Sequence, residues 1–556
     1  MQAVLEETRT PYRWRWVALF VILAVEVMDL LDSLVTTIAG PVIRAELGGS
    51  LSLIQWLGAA YTLAMAVGLL TGGRLGDIYG RRRMFLIGAA GFTVASLLCA
   101  VAWSPGVLVG ARAVQGLFGA VMLPQGLGMI KQMFSDKEQA KAFGAFGPVM
   151  GLSAVGGPIL AGWLVDADYF GVGWRMIFFI NLPLGIFAIM GALRFLPEYR
   201  AERTPRLDVA GVLLAAVGAF LLLYPLVQGR ELDWPVWVFV MLAAGVVLFV
   251  AFGRYEAARE RAGRDPLVTP SLFRKRAFTG GLALGLFFFA VLIGTGLVFT
   301  LYLQVGLGYS PLKAGLTTLP QALGTVVGFV AAGAGLSERL GRRLLLIGTV
   351  VMGLGMIGVA LTVRGAGADI SPYQLSPALL VLGAGMGLAM APFFNIVLAG
   401  VDDAETGSAS GALTSVQQLG GAFGIAILGT IFFGLLPGAV AHHVDTSAGE
   451  LRAQLTAAAV PPAAQPAIIA GIRACLADRV AEDDPEVQPA SCRSGAAPGA
   501  AAPADPAIAG YAERAVRDGF RDVTVRTLGV ALVLLVAAFG LGFLLPRRAR
   551  PAAAGH

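Results

Sequence analysis

Three acidic side chains lie in one long apolar stretch near the start of this 556-residue chain. Glu26, Asp29 and Asp32 are each three residues apart within the run from Trp16 to Ala39. At that spacing they line one face of a helix, and Thr36 extends the stripe by a turn. A carboxyl group in apolar surroundings holds its proton more tightly than in water, whereas an arriving cation favours the charged form. The pattern therefore predicts a site that exchanges a proton for a cation, because acids within membrane spans mark transport pathways.

The composition indicates a membrane protein. Hydrophobic residues make up 57% of the chain and charged residues only 14%, and the mean hydropathy is +0.76. In soluble proteins about a quarter of all residues are charged, so we predict an all-α polytopic membrane protein. The net charge of +6 does not indicate nucleic acid as a partner, because the Lys and Arg residues recur in small clusters between apolar runs.

Fourteen apolar runs are long enough to cross a bilayer, which takes about 20 residues per helix. We predict spans at 16–41, 52–73, 84–103, 106–131, 141–164, 175–196, 208–227, 235–253, 278–304, 315–335, 344–363, 376–398, 408–436 and 524–545. Basic clusters such as Arg81 to Arg83 fall in alternate connections, and the positive-inside rule assigns that side, with both termini, to the cytoplasm. The chain is thus expected in the inner (cytoplasmic) membrane of a cell, with the lipid bilayer around it.

The connection between the second and third runs, from Gly73 to Arg82, is a short charged turn. Its Asp77 and Arg81 are four residues apart, the spacing at which opposite charges meet on a helix. The order Gly-x-Leu-x-Asp-x-x-Gly-Arg-Arg resembles the signature loop of major facilitator superfamily transporters. The resemblance implies that Gly73, Asp77, Gly80, Arg81 and Arg82 control the switch between inward- and outward-facing states. A plain topology anchor is the alternative, although it does not require the acid.

A degraded copy of this turn, Leu336 to Arg343, has Glu338 in the place of Asp77 and predicts two homologous halves with a substrate site between them. Two halves of six helices account for twelve of the fourteen runs, and the remaining two form an inserted hairpin. This arrangement resembles the fourteen-helix branch of drug:proton antiporters. The predicted divisions are an N-terminal cytoplasmic tail (1–15), six-helix halves (16–196 and 278–545), an inserted hairpin (208–253), a long outer loop (437–522) and a cytoplasmic tail (546–556).

The resemblance also assigns roles inside the first half. Asp32 matches the functional Asp of the first-helix motif of these exporters, although Leu34 stands where Thr is common. Arg112 and Gln115 match the fourth-helix motif, in which the Arg is linked to proton transfer. Arginine stays charged, so Arg112 is expected to tune a nearby carboxylate. Glu26 and Asp29 are additions to the pattern, and a place near the interface or against a neighbouring helix is the alternative for Glu26.

The fifth run resembles the helix motif that marks antiporters, through Gly157, Pro158 and Gly162, with Ser153 and Ala161 at positions where Gly is usual. Ordinary packing of small residues is the alternative. Residues that could line a substrate cavity are Tyr61, Gln115, Gln321, Asn395 and Gln417.

The predicted outer loop is rich in Ala and Pro, and its centre has too few large apolar residues for a core. Cys475 and Cys492 lie within it, in an oxidising compartment where a disulfide can form. The sequence leaves their pairing open.

No phosphate-binding loop of the Gly-x-x-x-x-Gly-Lys-Ser/Thr type occurs in the sequence, which argues against ATP as the energy source. We therefore predict a monomeric antiporter, not an enzyme, that uses the proton gradient without cofactor or metal. Its partners are protons and an amphipathic, cationic small molecule, either a drug or an endogenous antibiotic or metabolite. The alternatives are an exporter of lipid or siderophore, a proton symporter, and a membrane receptor or scaffold that transports nothing.

Overall fold

The computed structural model describes residues 12–135, 138, 141–142, 146–200, 207–365, 370–399, 401, 405–482, 487–493 and 506–546. Within these ranges the regular structure is helical throughout. The predicted tails, 1–15 and 546–556, lie mostly outside the described residues, as does much of the centre of the predicted outer loop.

The long helices follow the predicted spans in order. They are α1 (Arg15–Leu47), α2 (Ser52–Tyr79), α3 (Arg81–Ala100), α4 (Pro105–Met133), α5 (Phe146–Asp166), α6 (Gly173–Phe195), α7 (Val209–Gln228), α8 (Val236–Arg261), α9 (Arg276–Gly306), α10 (Pro311–Leu340), α11 (Arg342–Gly365), α12 (Pro372–Val397) and α13 (Thr406–Thr446). Two shorter helices, α14 (Ala448–Ala457) and α15 (Gln465–Ala481), precede the last long helix, α16 (Pro506–Gly542).

In the described part of the chain, twelve helices are long and apolar enough to cross a membrane. Helices α1 and α5 coincide with the two remaining predicted spans, and α1 differs from the twelve in holding three acids within its apolar run. The prediction of an all-α, multi-pass membrane protein is confirmed, whereas the count of fourteen spans stays a prediction.

The two halves repeat the same packing. Helix α4 packs against α2 and α3, and α12 packs against α10 and α11 in the same way. Each crossing depends on glycine, because a Cβ at Gly72 would collide with the backbone of Ala120, and one at Gly328 with the backbone around Ala384. In each half, an arginine of the charged turn or of its copy donates to a backbone carbonyl at the end of the last helix. Arg82 donates to Ala192 O of α6 at 3.2 Å, and Arg342 donates to Leu545 O, just after α16, at 2.7 Å.

The halves meet on the predicted outer side. Gln55 of α2 donates to Ile425 O of α13 at 3.1 Å, and Gln304 of α9 donates to Ile38 O of α1 at 2.7 Å. At a third place the amide of Leu312 donates to Asp166 Oδ2 at 3.0 Å, joining α10 to the end of α5. These contacts close the outer ends of the helices against one another.

Where the structure describes it, the segment that we predicted as an outer loop, 437–522, is largely helical, and its boundaries relative to the membrane stay a prediction. Helix α13 continues past Pro437 because Val440 and Val444 beyond it remain buried. The ends of α13 and α16 enclose α14 and α15 around a small core that includes Leu451 and Tyr511. We call this unit the outer cap, and its described residues are 444–482, 487–493 and 506–515. Within it Cys475 and Cys492 form a disulfide with their Cα atoms 4.6 Å apart.

Candidate functional site

Asp32 lies at the centre of a buried polar cluster built by the first half. Its side chain pairs with Arg112 of α4, and both residues are almost inaccessible, with exposed fractions of 2% and 1%. The other carboxylate oxygen accepts hydrogen bonds from Gln115 Nε2 at 2.8 Å and from Asn181 Nδ2 of α6 at 2.7 Å. Three helices, α1, α4 and α6, therefore converge on one carboxylate.

The surroundings of Arg112 hold its side chain in place. Its Nε donates to Leu57 O of α2 at 3.1 Å, and its Nη1 donates to Gln115 Oε1 at 2.6 Å. The guanidinium lies over the ring of Tyr61, 4.3 Å from the ring centroid, where the face of the π system attracts a cation. Ser96 of α3 accepts from Gln115 Nε2 at 2.8 Å and so connects a further helix to the cluster.

The other two acids of α1 continue from this cluster. Asp29 accepts a hydrogen bond from the hydroxyl of Tyr61, and 7% of it is exposed. Glu26 is only partly buried. Burial thus deepens along the stripe from Glu26 through Asp29 to Asp32.

This arrangement couples charge to helix packing. Two opposite charges removed from water are tolerated only when they are paired and hydrogen-bonded, and breaking a buried pair costs about 3–5 kcal/mol. Neutralising Asp32 by a proton would leave Arg112 with fewer acceptors and weaken the contact between α1 and α4. Protonation can therefore change how these helices pack.

The residues of the charged turn are engaged within the first half. Asp77 pairs with Arg81 at 2.7 Å, and Gly80 forms the turn between α2 and α3 with φ of 100°, which favours glycine. The guanidinium of Arg81 lies directly against Gly128 of α4, where a side chain would not fit. Gly73 lies close to Pro124 of the same helix. The turn thus joins the predicted cytoplasmic ends of α2, α3 and α4.

The glycines of the fifth run lie at contacts with α1 and with the second half. Gly157 packs against Leu34 of α1, and Gly162 packs against the backbone of Pro311 and Leu312 at the start of α10. Reciprocally, Gly315 of α10 packs against the backbone of Pro158. The predicted antiporter motif therefore lies at the close crossing of α5 and α10 on the predicted outer side.

The predicted cavity residues are not gathered in one place. Tyr61 and Gln115 belong to the buried cluster, where their polar atoms serve Asp29, Asp32 and Arg112. Gln321 lines a cavity inside the second half, in the company of Thr295, Phe299, Met352 and Met386. Asn395 is exposed and Gln417 is partly buried, both also in the second half.

Two members of the cluster were not predicted from the sequence to be site residues. Asn181 is fully buried in α6, two residues before Pro183, and Ser96 is fully buried in α3. The sequence did offer a signal for Asn181, because a side-chain amide within an apolar span needs a polar partner when it is buried. A single serine in a span offers no comparable signal.

Comparison with known proteins decides the family. A family model described as Major Facilitator Superfamily matches residues 21–425. The chain belongs to this superfamily. This member is 48% identical over 544 residues to the “Probable actinorhodin transporter” of Streptomyces coelicolor, covering 97% of this chain and 93% of the relative. It is 37% identical over 432 residues to the puromycin resistance protein of Streptomyces alboniger, covering 77% and 84%.

Among solved structures, this chain resembles a bacterial homologue of the human lysosomal transporter Spinster. The TM-score is 0.58 at 14% sequence identity, and the match covers 97% of this chain and 99% of the other. Likeness at that identity concerns the fold alone. The predicted family and fold are confirmed, and the chain is a transporter rather than an enzyme.

Proposed function

We propose that this transporter exports an amphipathic antibiotic or drug, cationic in character, in exchange for protons. The observation that supports this most is the buried Asp32–Arg112 pair, which is continued towards less buried surroundings by Asp29 and Glu26. The names of the two relatives, an actinorhodin transporter and a puromycin resistance protein, support an antibiotic as cargo.

The proposed cycle follows from the chemistry of the stripe. With the outer ends closed, a cationic substrate enters from the cytoplasmic side and lies near Glu26 and Asp29. A cation beside a carboxyl group favours loss of its proton, so loading releases a proton to the cytoplasm. When the halves rock and the outer side opens, protons from outside displace the cation from the same carboxylates.

Asp32 has a different part in this cycle. Because it is held by Arg112, Gln115 and Asn181, it is the acid least available to substrate. A proton on Asp32 would free Arg112 and loosen α1 from α4, which links proton occupancy to movement of the helices. Asp77 and Arg81 would stabilise one arrangement of the cytoplasmic ends while this happens.

Purified protein in proteoliposomes with an imposed pH gradient tests this function, with puromycin and ethidium as probes. We expect uptake of at least one probe into vesicles that are acidic inside, with matching alkalinisation of the lumen. Asp32→Asn should lower the rate at least about 100-fold, since it leaves the buried Arg112 without its counter-charge.

Glu46→Gln is the matched control, because Glu46 lies on the same helix and pairs with Arg175 at the surface. It should transport at the wild-type rate. Wild-type export by a protein with Glu26, Asp29 and Asp32 all neutralised, or export without proton movement, contradicts the proposal.

A further inference from the structure

The inserted hairpin of α7 and α8 contacts α2, the helix that leads into the charged turn. Helix α7 packs against both α2 and α13, which meet across the two halves. Leu223 and Val227 of α7 share a hydrophobic core with Leu51 and Ile54 at the start of α2. The hairpin therefore lies along the helix pair whose relative movement separates the halves.

At the cytoplasmic end, the hairpin and α2 hold one short segment from two sides. Glu256 of α8, with 2% of its surface exposed, accepts hydrogen bonds from the amides of Leu267 at 2.6 Å and Val268 at 3.4 Å. Arg74 of α2 donates to the carbonyls of Pro266 and Leu267, the latter at 3.2 Å. Segment 266–268 is thus the link between the hairpin and the charged turn.

Glu256 lies beside a buried network around Asp208. Asp208, 1% exposed, accepts from Gly211 N at 3.1 Å and from the Tyr255 hydroxyl at 2.9 Å, and Arg259 approaches it to 3.3 Å. Gly211 makes room for this network, since a Cβ there would lie 2.5 Å from a carboxyl oxygen of both Asp208 and Glu256. Burying two carboxyl groups is costly, so a role in positioning accounts for them better than a role in stability.

At the outer end, the hairpin caps the start of α2. Glu231 accepts a hydrogen bond from Ser52 N at 2.9 Å, and Gln228 accepts one from Trp56 Nε1 at 3.3 Å. The first amides of a helix have no partner within the helix and favour a negative charge, so Glu231 satisfies both needs. Both ends of α2 are accordingly tied to the same two-helix insertion.

We propose that the hairpin positions α2 during transport, and that Glu256 is a positioning residue which acts through segment 266–268 on Arg74. A change in the angle of α2 must then either carry this segment along or release Arg74 from it. The transport measurements below rest on the proposed export function, whereas the distance measurement does not.

The variants are Glu256→Ala, Arg74→Ala, their double combination and the conservative Glu256→Gln. Glutamine keeps an acceptor for the Leu267 amide and offers a donor to Asp208, so Glu256→Gln should retain transport. Glu256→Ala and Arg74→Ala should each lower the maximal rate of ethidium export about tenfold, with KM changed less than about twofold. The double variant should be no slower than the slower single variant, because both act through one segment.

A spectroscopic distance provides the readout that does not depend on transport. Nitroxide labels at Tyr79 and Arg254, both exposed, report the separation of α2 and α8 in a Cys99→Ala background that keeps the outer disulfide. We expect one narrow distance distribution in the wild type and a broad one in Glu256→Ala and in Arg74→Ala. Glu260→Ala, one turn further along α8, is the control and should match the wild type in rate and distance.

The proposal is overturned by any of three results: Glu256→Ala that exports like Glu260→Ala, single defects that multiply in the double variant, or an unchanged distance distribution. If the wild type exports no probe, the proposed function fails, but the distance distributions still decide whether Glu256 and Arg74 position α2.

Discussion

Tyr61 serves two charged neighbours at once. Its ring lies under the guanidinium of Arg112, and its hydroxyl donates to Asp29. The two functions are separable, because the first needs only the ring and the second needs the hydroxyl. Tyr61 thus connects the deeply buried Asp32–Arg112 pair to the acid that lies nearer the expected path of the substrate.

Tyr61→Phe should slow transport while leaving the protein folded. The phenyl ring keeps its contact with Arg112, but the Asp29 carboxylate loses the hydrogen bond that it accepts from the Tyr61 hydroxyl, and a hydrogen bond to a charged group is worth about 1.5–3 kcal/mol. We expect the rate of ethidium export in proteoliposomes to fall roughly 10- to 100-fold, with the melting temperature of the purified protein close to the wild-type value. Tyr373→Phe is the control, since Tyr373 is 86% exposed. Equal export by the two variants contradicts this role.

At the scale of residues, the spacing of the acids was enough to place them on one face of α1. Asp32 and Arg112 are 80 positions apart in sequence, and only the motif resemblance suggested that an arginine would meet a carboxylate. The contributions of Ser96 and Asn181 depend on how α3 and α6 are turned about their axes. Single polar residues in apolar helices do not fix that rotation, because many orientations bury the remaining side chains equally well.

Helices α5 and α10 cross closely because each presents a glycine to the backbone of the other. Gly162 lies against Leu312, and Gly315 lies against Pro158. Small residues at such a crossing allow dispersion contacts between backbones, which stabilise helix pairs in a membrane where the hydrophobic effect does not. The contact joins the two halves on the predicted outer side, so its strength sets part of the preference for the closed state.

Gly162→Ala should weaken closure of the outer side. A methyl group there collides with the backbone of α10, which cannot move aside as a flexible side chain can. Single nitroxide labels on the outer ends of α5 and α10 should report a larger separation than in the wild type. Gly156→Ala is a closely matched control on the same helix, because a Cβ at Gly156 meets nothing within 4 Å. An unchanged separation in Gly162→Ala shows that this crossing does not hold the outer side closed.

At the scale of elements, the apolar runs predicted the order and approximate ends of the long helices. One exception is α16, which begins at Pro506 although its predicted span begins at 524. The other is α13, for which Pro437 suggested an end and the helix continues to Thr446. Proline disfavours a helix interior, but here burial of the following valines outweighs that preference. The pairing of helices across the halves depends on tertiary packing, and the sequence could indicate it only through the repeated charged turn.

The whole molecule is closed at one end by contacts of different kinds. Side-chain amides of Gln55 and Gln304 reach backbone carbonyls of the opposite half, and the α5–α10 crossing adds close packing. The outer cap extends this closure: it is built on α13 and α16 of the second half, and Arg44 at the end of α1 donates to Glu482 O of the cap at 3.0 Å. Opening the outer side therefore requires the cap to part from the first half.

The outer cap should depend on its disulfide for stability. The bond between Cys475 and Cys492 closes a loop of 17 residues, which in the chain-entropy model stabilises a fold by about 3 kcal/mol. The core of the cap is small, so this is a large share of what holds it folded. Arg473 and Arg479 of α15 are exposed but lie within a helix, and replacing both cysteines with serine should unfold that helix enough for trypsin to cleave after them.

Limited proteolysis in detergent measures this effect with an internal control. Cleavage after Arg473 and Arg479 should be much faster in the double serine variant, and in wild-type protein treated with reductant, than in the oxidised wild type. Cleavage after Arg264, an exposed residue on the predicted cytoplasmic side, should proceed at one rate in all three samples. If the cap sites are cut no faster without the disulfide, the apolar core around Leu451 and Tyr511 suffices to keep the cap folded.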